Sequence, residues 1–183
     1  MVRVLSSFIQ LDSSVWRCQI QISCGLQHNV ALSHDGSVFC WGRGHKGQLG
    51  VGALEEGFLT LARRVPALEG MTGVAAGLHF TAAWGTEQAF LWGNNNWGQC
   101  GVSPTSVANS CVASPHPLIT DSMPTIGEIG ALQLAFDHVL LCSKHPTKVF
   151  AWGRGSNGQL GAGEFHELRA QPRDAVSFTT DSR

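Results

Sequence analysis

Cys24 and His28 stand four residues apart, and so do His138 and Cys142. Thiolate and imidazole are common zinc ligands, so metal binding is the first chemistry to weigh. The six cysteines, Cys18, Cys24, Cys40, Cys100, Cys111 and Cys142, are scattered without a C-x-x-C pair, and no spacing typical of a zinc site occurs. The simpler reading is that His28 and His138 hydrogen-bond backbone inside the fold, as buried polar groups must. The cysteines then serve as small buried hydrophobes. Two glycine-rich stretches, GRGHKG and GRGSNG, invite phosphate but fail the G-x-x-x-x-G-K-[ST] pattern. No Ser/His/Asp arrangement can be argued either. Neither a catalytic constellation, a metal nor a cofactor is expected.

Composition narrows the classes further. The chain has 183 residues, 43% hydrophobic and 14% charged, with 22 glycines. Few charges beside that apolar content argue against disorder, and abundant glycine points to the tight turns of an all-β fold. The net charge is −1 and no basic run exceeds Arg63-Arg64. A nucleic-acid surface normally shows a basic stripe, so direct nucleic-acid binding is not expected. No apolar run approaches the ~18 residues of a membrane span, and the stretch MVRVLSSFIQLDSS lacks the features of a signal peptide. Scattered cysteines in such a chain suggest a reducing compartment, cytoplasmic or nuclear.

What positions the polar residues is a repeat. Residues 41–50 read WGRGHKGQLG, residues 92–101 WGNNNWGQCG and residues 152–161 WGRGSNGQLG, giving W-G-x4-G-Q-[LC]-G three times. The recurring positions are Trp41, Gly42, Gly47, Leu49 and Gly50, then Trp92, Gly93, Gly98 and Gly101, then Trp152, Gly153, Gly158, Leu160 and Gly161. The tryptophans are 51 and 60 residues apart. Before each lies a hairpin: NVALS into SVFCW, TAAW into AFLW, VLLC into VFAW. In the first, Asp35-Gly36 supplies turn residues that tolerate positive φ. These runs are apolar on both faces, as strands buried between two layers should be. A further strand precedes the first two hairpins in QIQIS (19–23) and MTGVAA (71–76), and IGALQLA before the third fits less well. LEEGFLTLARRV is the one stretch that would accommodate a short helix. A repeated unit of this length built from short strands is the signature of a β-propeller blade. The glycines then serve a sharp turn with close backbone approach, and the leucine fills space between blades.

The stretch SCGLQHNVALSHDGSVFCWGRGHKGQLGVG (23–52) resembles, over its full length, the repeat of the regulator of chromosome condensation family. That repeat reads C-G-x-x-H, strand, D/G turn, strand with W-G, then x-G-Q-L-G. The second copy departs with Ala76, Phe80 and Cys100, and the third has LAFDH where C-G-x-x-H belongs. The resemblance implies an all-β partial propeller of about three blades, each an antiparallel four-stranded sheet. The repeats span residues 19–163, divided near 19–70, 71–125 and 126–163. Residues 1–18 read as the remnant of a preceding blade or a tail, and 164–183 as the start of a next blade or a tail. Full-length members have seven blades, so the chain reads as a fragment or abbreviated product of a longer protein.

The founding activity of that family is guanine-nucleotide exchange on a Ran-type small GTPase, in which a rigid propeller face with a β-wedge distorts the nucleotide site. The resemblance places the residue before each repeat histidine on the partner-facing loops: Gln27, His79 and Asp137. Read as residues alone, these are ordinary polar loop residues, and no β-wedge is recognisable. The reading is therefore a protein-interaction scaffold that binds a partner protein through propeller-face loops, with guanine-nucleotide exchange on a small GTPase as the alternative. Trp84 near a turn and Trp97 inside a glycine loop are either partner-facing or packed between blades. The Pro/Ser-rich stretch 102–130 is a blade connection with a small insertion, or a partner-binding excursion. Three blades leave two open faces, on which Val38, Phe39, Leu91 and Val149 are expected to meet water.

Overall fold

Each hairpin anticipated from the turn residues forms, with the tryptophan strand as its second arm. The computed structural model describes residues 21–118, 128–144, 147–161, 163 and 166–176. Within these, twelve strands make three four-stranded sheets. The first contains β1 (Gln21–Cys24), β2 (His28–Leu32), β3 (Val38–Gly44) and β4 (Glu55–Arg64) in chain order. The second contains β5 (Gly73–Ala76), β6 (Phe80–Trp84), β7 (Ala89–Asn94) and β8 (Cys111–Pro117). The third contains β9 (Ile129–Leu134), β10 (His138–Ser143), β11 (Lys148–Gly155) and β12 (His166–Val176). All pairs within the sheets are antiparallel. This is a mostly β partial propeller of three blades.

One register repeats in each sheet. His28, Phe80 and His138 pair with Gly42, Gly93 and Gly153, so each tryptophan faces the next residue along: Asn29, Thr81 or Val139. The first strands β1, β5 and β9 lie toward one another and border a cavity of about 560 Å³, whose lining includes Gln21, Trp84, Thr86 and Lys144. Core residues lie between the sheets, with Val30, Leu91, Trp92, Leu132, Phe150 and Trp152 fully buried.

Several local expectations need correction. LEEGFLTLARRV is strand, not helix: its backbone bonds to β3, where Phe39 and Cys40 face Arg64 and Arg63. IGALQLA, despite its weaker pattern, contains the strand β9, which pairs with β10 with one register shift near Gly130. The Pro/Ser-rich stretch 102–130 carries more structure than a bare connection, for it holds two short 3-10 turns (Pro104–Ser106 and Ala108–Ser110) and the fourth strand β8. Val38 and Leu91 are fully buried rather than water-facing, while Phe39 and Val149 are partly buried. The reason is that side chains leave a strand through the faces of its sheet, and Val38 and Leu91 point into the core shared with neighbouring sheets. Residues 166–176 pair with β11 as Arg63 and Arg64 pair with β3, so they form the fourth strand of the third blade rather than the start of a next one. Residues 1–18, with Trp16 and Cys18, lie outside the described residues.

Candidate partner-binding face

The glycine after each tryptophan brings two loops together. Gly42, Gly93 and Gly153 have φ of 103°, 111° and 101°. A Cβ there would stand 2.5, 2.6 and 2.5 Å from the carbonyl oxygens of Gln27, His79 and Asp137. Those carbonyls accept the amides of Arg43, Asn94 and Arg154 at 2.8, 2.9 and 3.0 Å. Only glycine satisfies both the positive φ and the missing space. The consequence is positional: Gln27, His79 and Asp137 come to the same end of the propeller, one per blade, opposite the hairpin turns.

The glutamine of each G-Q-[LC]-G does two jobs. Its side-chain Oε1 closes its own loop, since Gln48, Gln99 and Gln159 accept the amides of Lys46, Trp97 and Asn157, each at 2.8 Å. Its main-chain carbonyl serves the following blade. Trp92 Nε1 donates to the Gln48 carbonyl at 3.0 Å and Trp152 Nε1 to the Gln99 carbonyl at 3.0 Å. Trp92 and Trp152 are fully buried, whereas Trp41, which follows no blade among the described residues, is half-buried. Leu49 and Cys100 fill the same seams, and Leu160, at the same repeat position of the third blade, packs against Ala151 and Val149.

The two seams differ in polarity beneath this common bond. At the first, His28 Nε2 lies 2.9 Å from the Thr81 hydroxyl, which donates to the Gln48 carbonyl at 2.8 Å. The hydroxyl proton is committed, so His28 Nε2 carries the hydrogen between them. Burial, then the charge of His79, lowers the His28 pKa to about 4. The partner of this histidine is thus a side chain across the seam rather than backbone of its own blade. At the second seam the same two positions are Phe80 and Val139, both fully buried. His138 is half-buried, with Nδ1 3.9 Å from Asp137 Oδ1.

Above the seams lie the loop side chains. Asp137 is buried, and its Oδ2 accepts from Arg154 Nη1 at 3.3 Å. The Arg154 guanidinium lies 4.7 Å from the centre of the Trp97 ring, which belongs to the preceding blade. Trp97 is therefore half-buried and joins two blades. Trp84 is packed inside, its ring occupying the space a Cβ at Gly73 would need. Gln27 is exposed and accepts from Arg43 Nη1 at 3.1 Å. His79 is half-buried and meets the ring of His45. Leu26 and Phe136, at matching positions in the first-strand loops, are 60% and 63% exposed. Sequence reasoning passed over Arg43, His45, Lys46 and Arg154. Their signal was available: Arg43 and Arg154 occupy the same position after W-G.

Among the described residues no group of three or more His, Cys, Asp or Glu could hold a metal ion, and no helix is long and apolar enough to cross a membrane. Of the described cysteines, all free, Cys40 and Cys100 are buried, which pushes their thiol pKa values up, while Cys24 is exposed.

Three sheets packed face to face and linked by a tryptophan-to-carbonyl bond at each seam define a β-propeller repeat protein. The Regulator of chromosome condensation (RCC1) repeat matches residues 19–48 by one family model and residues 35–84 and 148–180 by another. The chain belongs to the RCC1 repeat family. It is 30% identical to the Ultraviolet-B receptor UVR8 of Arabidopsis thaliana, over 78% of this chain and 31% of that protein. It is 36% identical to the probable E3 ubiquitin-protein ligase HERC6 of Homo sapiens, over 76% of this chain and 13% of that protein. The chain thus spans under a third of these relatives. Yeast RCC1 (Prp20), solved bound to Kap60, superposes with a TM-score of 0.73 at 19% identity, covering 87% of this chain and 37% of that one. Human WBSCR16 superposes with a TM-score of 0.70 at 23% identity, covering 87% and 38%.

Proposed function

We propose that this chain is a protein-interaction scaffold, cytoplasmic or nuclear, that binds a partner protein through the loop face of the propeller. The observation that carries this reading is the delivery of Gln27, His79 and Asp137 to one end, blade by blade, on a rigid frame with exposed Leu26 and Phe136 beside them. Loops on a rigid scaffold carry recognition, and apolar anchors within a polar rim are what protein interfaces use. The related fold of Prp20p from Saccharomyces cerevisiae, described with binding properties toward Gsp1p and histones, supports a protein partner. A photo-crosslinking residue placed at Gln27 or Phe136 in the full-length protein should capture the same partner, and one at Gln88, in an opposite-end turn, should not. Capture from Gln88 alone would overturn the reading.

The alternative, guanine-nucleotide exchange on a small GTPase, is favoured by Asp137, an acid held by Arg154 on the loop where the family resemblance places exchange contacts. A nucleotide-release assay with a panel of small GTPases separates the two. Accelerated release, lost in Asp137→Ala, would establish exchange; unchanged release across the panel leaves the scaffold reading.

A further inference from the structure

The second seam neutralises its own charge, and the first does not. Between the second and third blades, the Asp137 carboxylate pairs with Arg154, and Trp97 covers that guanidinium. At the corresponding positions of the first seam stand His79 for Asp137, Asn94 for Arg154, Lys46 for Trp97 and His45 for Asn96. An acid has been replaced by an imidazole, and an aromatic ring by an ammonium. The His45 and His79 rings meet edge to face, centroids 5.4 Å apart at 80°. Arg43 joins them from the end of β3, bonded only to the neutral Gln27 amide and lying 5.9 Å from the Phe58 ring. Among the described residues no carboxylate pairs with Arg43, His45, Lys46 or His79. Nδ1 of His45 and Nδ1 of His79, which donate when the rings are protonated, are buried without a partner. Buried polar atoms left unpaired in this way are costly and mark a place where a polar group is missing.

We propose that this first seam receives a carboxylate from a partner protein, an Asp or Glu on an acidic segment with an apolar neighbour, taking the charge-balancing role that Asp137 performs from within at the second seam. The assignment rests on the loop-face reading above and names the chemistry of the partner. Leu26 supplies the apolar contact: it is 60% exposed, and its amide bonds the Leu78 carbonyl at 3.1 Å across the same seam. A carboxylate here would offset the repulsion among Arg43, Lys46 and the two imidazoles. In the free chain burial lowers the pKa of both, with Arg43 and Lys46 adding to it. The other titratable groups facing them are His28 from β2 and Cys111 from β8, the latter close to Lys46. Binding an anion favours imidazolium, so it takes up protons and weakens as pH rises.

The test uses the full chain and a capped Leu-Glu-Glu-Leu peptide, followed by NMR of the histidine side chains. The peptide should move the His45 and His79 resonances while leaving exposed His34 in place, and its affinity should fall about tenfold between pH 5.5 and 8, as loss of one favourable ionisation gives. His79→Asp copies the next blade and so should fold, and should weaken the peptide about tenfold or more. Lys46→Gln serves as a second variant, with a smaller loss. Equal binding of the Leu-Gln-Gln-Leu peptide, or undiminished binding by both variants, overturns the proposal. Inorganic phosphate that binds more tightly than the peptide and displaces it also overturns it, in favour of a phosphate-bearing ligand. Loop-face cross-linking that persists while the peptide fails to bind removes only this assignment, whereas loss of that cross-linking removes the scaffold reading itself.

Discussion

At the level of single residues, His28 ties stability to pH. Its pKa falls from the ordinary 6.5 to about 4 because burial, and then His79, disfavour the charged form. Between those values the unfolded chain binds more protons than the folded one, so stability rises with pH. The contribution is present in full above pH 6.5 and is lost as pH falls toward 4, amounting to about 3 kcal/mol at most. The partly buried His45, His79 and His116, also lowered by burial, act in the same direction. The urea midpoint should therefore drop between pH 7 and 4.5. His28→Phe combined with Thr81→Val copies Phe80 and Val139 of the next seam and should flatten that drop. A wild-type midpoint that does not move over this range would mean His28 is not held neutral by the seam.

At the level of elements, the hairpins form locally but the sheets cohere through their tryptophan strands. Trp92 on β7 buries its whole ring and gives its indole hydrogen to the Gln48 carbonyl. Trp92→Ala should cost about 3–5 kcal/mol, from the cavity together with the carbonyl left with one donor fewer. Trp41 on β3 sits at the same repeat position yet is half-buried, so Trp41→Ala should cost clearly less in this chain. Denaturant unfolding of the two variants side by side measures the difference. Equal losses would show that the tryptophans stabilise their own hairpins rather than the seams. The turn that carries the glutamine is placed by the same packing: Gly47, at φ 79°, leaves no room for a side chain against the Val112 carbonyl, 2.8 Å from where a Cβ would be.

At the level of the whole molecule, the three blades end in two different faces. One carries the half-buried Trp41; the other carries Gln159, whose counterparts Gln48 and Gln99 each accept an indole from the following blade. Exposed Ile22, Phe58 and Leu61 add apolar surface, at 57%, 68% and 65% exposure. Sheets in propellers avoid such faces by ring closure, and repeat arrays by capping units. The 183 residues expressed alone should consequently self-associate or melt at low temperature. Sedimentation velocity at several concentrations, with thermal melting, checks this. A strictly monomeric species with a sharp, reversible transition would mean that these faces are already satisfied.

The repeat of W-G-x4-G-Q-[LC]-G, with a turn shortly before it, determined by itself the number of blades and the hairpin pairing, and the family resemblance implied the loops on which Gln27, His79 and Asp137 lie. Blade number and pairing follow from local rules, because turn residues and apolar runs act over a few neighbours along the chain. The fourth strands were less legible: β4 reads as a marginal helix until β3 offers it a partner, and β8 hides in a Pro/Ser-rich stretch. Tertiary structure alone decided what crosses a seam. Nothing in the spacing of His28 and Thr81, 53 residues apart, says that they share a proton, or that Arg154 lies on Trp97 while Lys46 meets no ring. Such contacts depend on which side chains two packed sheets bring to the same depth, and that choice is made by the packing of one blade on the next.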